Sequence, residues 1–127
     1  MKQIQTSAAP AAIGPYSQAI SVDGWLYCSG QIPLDPATGK MVTGGTDAQA
    51  SQVLSNLSAV LQAAGLSMAD VVRTTIYLVD LGEFAEVNAL YAEAFGSHKP
   101  ARATVEVSAL PLGARVEIDC IARAQGD

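Results

Sequence analysis

Between Ala50 and Ala64, apolar residues recur every three or four positions, at Ala50, Val53, Leu54, Leu57, Val60, Leu61 and Ala64, with mostly polar residues between them. That spacing gives a 3.6-residue helix one apolar stripe, so it predicts an amphipathic helix that Gly65 stops. Just ahead, Thr46-Asp47-Ala48-Gln49 has the form of a capping box, with Thr46 as N-cap and Gln49 reaching back. A second helix is expected from about Leu81 to Phe95, with Phe84, Val87, Asn88, Tyr91 and Phe95 along one stripe and Gly96 as terminator. Asn88 is out of place in that stripe, because a buried amide must find partners.

Elsewhere the period shortens to two, the signature of extended chain whose side chains alternate between faces. The stretch from Ser17 to Val22 alternates weakly, and Asp23-Gly24 then signals a two-residue hairpin into Trp25-Leu26-Tyr27-Cys28-Ser29. Ala8 to Pro15 is too rich in proline and small residues for a helix and reads as an extended lead-in. Gly30 to Gly39 reads as a loop by its Gly and Pro content, placed to form the rim of a pocket. Ser67-Met68-Ala69-Asp70 repeats the capping pattern before a central strand, Val71 to Leu78, with Arg73, Thr75 and Tyr77 on one face.

Near the C-terminus, Arg102, Thr104 and Glu106 share one strand face, and Ala103, Val105 and Val107 the other. On the last strand Val116, Ile118, Cys120 and Ala122 form the apolar set, opposite Glu117 and Asp119. The Pro- and Gly-bearing linker from Ser108 to Ala114 predicts an antiparallel hairpin that, depending on register, brings Arg102 near Glu117. The element order is strand, strand, helix, strand, helix, strand, strand. It predicts one α+β two-layer domain over residues 1–127, with both helices on one face of a mixed sheet. The other face is expected to carry Arg73, Thr75, Tyr77, Arg102, Thr104, Glu117 and Asp119, which need water or partner subunits.

Composition narrows the function classes. With 50% hydrophobic and 15% charged residues in 127, the chain is apolar for its size, and partner subunits are a natural cover for the surplus. The formal charge is −5 and no basic cluster occurs, so a nucleic-acid backbone finds no electrostatic footprint. No apolar run has the length of a membrane span, and Met1 to Thr6 lacks the apolar core of a secretion signal, so a cytoplasmic location is expected. Cys28 and Cys120 fall in apolar, strand-like runs and read as buried free thiols. Gly44-Gly45 lacks the rest of a phosphate or dinucleotide loop. His98, the one histidine, falls in what reads as a solvated turn without metal-ligand spacing, so neither metal nor cofactor is expected. Serine or cysteine nucleophiles lack a base, and Lys2, Lys40 and Lys99 sit in polar or terminal positions that do not suit a Schiff-base lysine.

Pro100-Ala101-Arg102, Val105, Leu110 and Val116-Glu117-Ile118 resemble the C-terminal signature of the reactive intermediate deaminase family, in its RidA branch (YjgF-like, with 2-iminobutanoate/2-iminopropanoate deaminase activity). Ile13 to Ala19, Ser29-Gly30-Gln31-Ile32-Pro33 and Phe84-Ala85-Glu86-Val87-Asn88 extend the resemblance over nearly the whole chain. It implies a chorismate-mutase-like fold assembled as a homotrimer, the sheets forming a central barrel and ligand clefts lying between subunits. It also implies hydrolysis of short 2-imino and enamino acids to 2-keto acids and ammonia. In that scheme Arg102 clamps the substrate carboxylate, as a bidentate guanidinium suits, and Glu117 positions or activates water. Tyr16 walls the cleft, and Ser29, Gly30, Gln31 and Asn88 line it. Thr104 stands where many relatives carry cysteine, at a position that contributes its backbone. Taken singly, Arg102 and Glu117 would serve equally as ion-pair residues. A non-catalytic ligand-sensing or chaperone-like trimer is the alternative, although it has no need of either charge. Endoribonuclease activity, attributed to some relatives, conflicts with the acidic chain.

Overall fold

The computed structural model describes residues 1–125. Its strands are β1 (Lys2–Ile4), β2 (Ala19–Val22), β3 (Trp25–Gln31), β4 (Val71–Leu78), β5 (Ala101–Glu106) and β6 (Val116–Arg123); its α-helices are α1 (Thr46–Ala63) and α2 (Phe84–Phe95). They form one sheet in the order β1-β2-β3-β6-β4-β5. The turn between β2 and β3 is the one expected from Asp23-Gly24, since both residues have positive φ, 51° and 81°, as a primed hairpin turn requires. Strand β1, too short to show a period, was not expected from the pattern.

Both helices lie on one face of the sheet, as a two-layer α+β arrangement requires. Val53, Leu57, Val60 and Leu61 of α1 and Val87, Tyr91 and Phe95 of α2 are buried with Leu26, Ile76, Leu78, Val116 and Ile118 of the sheet. Strand β6 takes the centre, antiparallel to both β3 and β4, and its apolar set Val116, Ile118, Cys120 and Ala122 is buried as its alternation predicts. Cys28 and Cys120 are direct cross-strand partners, buried and free. The hydrogen-bonded neighbour thiol and then burial push Cys120 far up, so it stays protonated and inert.

The structure corrects the expected C-terminal hairpin. Strand β5 pairs with β4, in parallel, and α2 is the crossover that a parallel pair needs. The linker after β5 carries the chain over β4, so β6 inserts between β3 and β4 instead of pairing with β5. The faces change as a result. Arg102 is in register with Thr74 and Thr104 with Ile76, both buried under the helices, whereas Glu117 is in register with Tyr77 on the uncovered face. Arg102 and Thr104 therefore lie on the helix side, opposite Arg73, Thr75, Tyr77, Glu117 and Asp119. At an edge strand a polar residue reaches water from either face, so polarity did not report the face.

Three local expectations also change. Thr46 is the first helical residue and Gly45 the N-cap, because the side chains of the expected capping box are engaged elsewhere. The Thr46 hydroxyl donates to Glu83 (2.8 Å), and the Gln49 amide oxygen accepts from the backbone N–H of Arg115 (2.8 Å). The Arg115 guanidinium pairs with Glu83, its Nε 2.9 Å from Oε1, and so ties the starts of α1, α2 and β6 together. Leu81–Glu83 is a 3-10 turn capped by Asp80, and α2 begins only at Phe84. His98 is not solvated: it is half-buried and donates from Nε2 to the Val71 carbonyl (2.6 Å). The Ser67 to Asp70 capping box forms as read.

Candidate active site

Two clusters of the expected residues form, one on each side of the sheet. The first surrounds Arg102 at the β5 edge. Phe84, Asn88 and Tyr91 are four and three residues apart in α2, a spacing that puts them on one helical stripe facing this edge. The Arg102 guanidinium carbon lies 4.9 Å from the Tyr91 ring centre and 5.3 Å from that of Phe84, and Nη1 donates to the Asn88 side-chain oxygen (2.8 Å). Asn88 thus satisfies its side-chain oxygen by holding a cation. Among the described residues no carboxylate pairs with Arg102. The guanidinium borders a cleft of about 390 Å³ with Asn88, Tyr91, Phe95, Lys99 and Pro100. Thr104, half-buried, lies two positions along the same strand face.

The second cluster surrounds Glu117 on the uncovered face. The β3–β6 register shifts between Cys28 and Gln31, and the Ser29-Gly30 step at this irregularity leaves Gly30 beneath the Glu117 carboxyl. A Cβ at Gly30 would stand 2.0 Å from Glu117 Oε2, so only glycine leaves room for this seat. The Ser29 hydroxyl donates to the Ser17 carbonyl (2.5 Å), and its backbone N–H donates to the Gln18 carbonyl (3.0 Å). The Ser29 proton is thereby committed to structure. Gln31 is buried at the end of β3, which continues two residues into the segment expected to be loop, and its register partner Ile118 places it on the helix side of the sheet. The Gln18 amide accepts from Thr6 N–H (2.8 Å) and donates to the carbonyls of Thr6 (3.0 Å) and Pro10 (2.8 Å), fixing the lead-in segment. Tyr16 follows that segment and is exposed.

Burial pushes the Glu117 carboxyl above the usual range, and the charge of Asp119 adds to the effect. Asp119 itself accepts from the Tyr77 hydroxyl (3.0 Å). Burial, and then that bond, raise Tyr77, so it remains a phenol at neutral pH. A raised carboxyl pKa means that Glu117 keeps its proton to a higher pH than an exposed glutamate. A carbon-detected NMR titration should find its midpoint above the reference of about 4.3, and Asp119→Asn should move that midpoint down. A midpoint at or below the reference would show that the carboxyl is solvated.

Within one chain Arg102 and Glu117 do not meet, because strand β4 and the sheet itself separate them. The expected closeness of the two is corrected accordingly. The Phe84 and Tyr91 rings beside Arg102, and the Asp119–Tyr77 pair beside Glu117, had no assigned role in the sequence reading. The only sign of the first was a polar Asn88 inside an apolar stripe. Among the described residues no group of His, Cys, Asp or Glu is arranged to hold a metal ion, and no helix is long and apolar enough to cross a membrane.

Comparison with known proteins gives a consistent family. The profile described as Endoribonuclease L-PSP matches residues 6–124. The chain is 58% identical to Protein DfrA of Myxococcus xanthus, covering 95% of this chain and 94% of that protein. It is 51% identical to 2-iminobutanoate/2-iminopropanoate deaminase of Mus musculus, covering 95% of this chain and 90% of the mouse protein. The crystal structure of RidA from the Antarctic bacterium Psychrobacter superposes with a TM-score of 0.94 at 44% identity, over 98% of this chain and 100% of that one. With a profile spanning most of its length and relatives at these identities, the chain belongs to the Endoribonuclease L-PSP (YjgF/RidA) family.

Proposed function

We propose that this protein hydrolyses short 2-imino acids and their enamine tautomers, such as 2-iminopropanoate and 2-iminobutanoate, to 2-keto acids and ammonia. The observation that carries this reading is Arg102: a guanidinium braced by Asn88 and two rings, bordering a cleft, with no carboxylate partner among the described residues. A fork held in this way suits an incoming carboxylate. The deaminase name of the mouse relative supplies the substrate class.

The chemistry asks little of the protein. A C=N carbon is already electrophilic, so a fixed substrate and an oriented water suffice. Water adds to the imine carbon and gives one proton to Glu117, which passes a proton to the nitrogen. Glu117 then takes the hydroxyl proton of the tetrahedral carbinolamine and delivers it to the nitrogen as the C–N bond breaks, so that ammonia leaves and a 2-keto acid remains. A carboxyl with a raised pKa is suited to both proton transfers near neutral pH. The reaction needs no metal or cofactor and belongs in the cytoplasm, where enamines released by other enzymes would be consumed before they react elsewhere.

In this reading the site is completed between copies: Arg102, Asn88 and the Thr104 backbone of one chain face Glu117, Gly30, Ser29 and Tyr16 of the next, while the buried Gln31 supports the Ser29-Gly30 step from the helix side. The opposite-face placement of Arg102 and Glu117 supports it. So does the uncovered sheet face, where Tyr27 and Val105 are 47% and 40% exposed beside Tyr77 and Ile121. The assembly we propose is a homotrimer. Light scattering at micromolar concentration should give the mass of three chains, and a monomer would remove the shared site. The activity itself is tested by letting a dehydratase generate the imine and following keto acid formation. Acceleration is expected; carboxylate binding without acceleration would instead favour a ligand-sensing trimer.

A further inference from the structure

Arg102 lies on an exposed edge strand, and an arginine there ordinarily samples many rotamers. Several contacts on this side of the sheet restrict it. Tyr91 is 6% exposed, and its hydroxyl is hydrogen-bonded to that of Thr74 (2.8 Å), which is fully buried on the neighbouring strand. Thr74 is also the register partner of Arg102, so the residue that anchors the ring sits beside the one the ring supports. Phe84, half-buried at the first turn of α2, supplies the second ring, and Asn88 holds Nη1. Tyr91 also stacks on Phe95, their centres 4.5 Å apart, so the Tyr91 ring is fixed both by its hydroxyl and by a ring neighbour.

We propose that Tyr91 and Phe84 are positioning residues: an aromatic platform, locked to the sheet through Thr74, that fixes the Arg102 guanidinium with its remaining N–H donors turned to the cleft. The inference deepens the deaminase reading and rests on it. Rings restrain a guanidinium without competing for its N–H donors, whereas a carboxylate brace would occupy them and cancel the charge. The platform thus leaves the cation available to an anionic ligand. Prior fixing also spares the ligand the entropy of ordering a long side chain. The consequence concerns selectivity: affinity for a carboxylate, and the preference for it over the uncharged amide of the same acid, depend on the rings.

The test is calorimetric titration of 2-oxobutanoate and 2-oxobutanamide into the parent protein, Arg102→Ala, Tyr91→Phe, Tyr91→Leu and Phe84→Leu. Removal of a ring should weaken 2-oxobutanoate by about fivefold to thirtyfold, between the worth of an exposed and that of a desolvated cation–π contact, and leave the amide within about twofold. Tyr91→Phe keeps the ring but loses its bond to Thr74, so its affinity for 2-oxobutanoate should fall between those of the parent and Tyr91→Leu. A purely structural role would lower both ligands together. Should Tyr91→Leu fail to fold, Phe84→Leu carries the test, because Phe84 is only half-buried. If Arg102→Ala loses the carboxylate while Phe84→Leu and any folded Tyr91→Leu bind it like the parent, the platform is refuted and the deaminase reading stands. If the parent itself does not prefer the carboxylate to the amide, both fall.

Discussion

Arg102→Ala should lower kcat/KM for imine hydrolysis by roughly 30-fold to several thousand-fold. Truncation leaves a substrate carboxylate unpaired in the cleft, a cost of about 2–5 kcal/mol, at about 1.4 kcal/mol for each factor of ten. Binding of 2-oxobutanoate should weaken in parallel, since the lost contact serves ground state and transition state alike. Folding should be little affected: the side chain is exposed, and its loss frees Asn88, which is only half-buried. Lysine is a poor substitute, because it replaces a planar fork by a point charge and stacks less well on Tyr91 and Phe84. A variant that binds the keto acid and turns over imine like the parent would refute both the anchor and the roles inferred from the family.

Gly30→Ala should abolish most turnover while leaving the fold intact. The added methyl would stand 2.0 Å from Glu117 Oε2 and 2.9 Å from its carboxyl carbon. Gly30 does not have the positive φ of the turn glycines, so alanine meets no backbone penalty, and the group that must move is the far end of a flexible side chain. Glu117 therefore swings away rather than the sheet yielding. The loss should match that of Glu117→Gln, about a hundred-fold to ten-thousand-fold in kcat, the usual worth of general acid–base help. Carboxylate affinity at Arg102 should persist in both variants, and thermal midpoints should stay within a few degrees. A Gly30→Ala protein with parental kcat would mean that the seat of Glu117 on Gly30 has no part in the chemistry.

Much of the architecture was legible because burial writes a period into the chain. The α1 stripe, the alternation in β6 and the Asp23-Gly24 turn each report a local requirement that tertiary structure kept. Strand pairing is a different matter. Nothing local in residues 107–115 records that this linker crosses β4 and lets β6 insert between β3 and β4, so a Pro- and Gly-bearing linker was read as a hairpin. The mistaken face of Arg102 followed from that error and from the freedom of an edge strand. Thr46 and Gln49 show the converse, a strong local signal overridden because Glu83 and Arg115 offer those side chains tertiary partners. The residues proposed for the site come from the motif resemblance, which carries no information on how the sheet divides them between two faces.

That division is the centre of the account, and mixing subunits tests it most directly. Arg102→Ala and Glu117→Gln should each be nearly inactive alone. Refolded together in equal amounts, they should regain about a quarter of the parental activity, because in a closed symmetric ring each interface receives an intact Arg102 from one copy and an intact Glu117 from the next in one arrangement of four. If both residues serve from the same chain, every site in the mixture lacks one of them. Recovery to about a quarter is the predicted result, and a mixture no more active than its two components would contradict it.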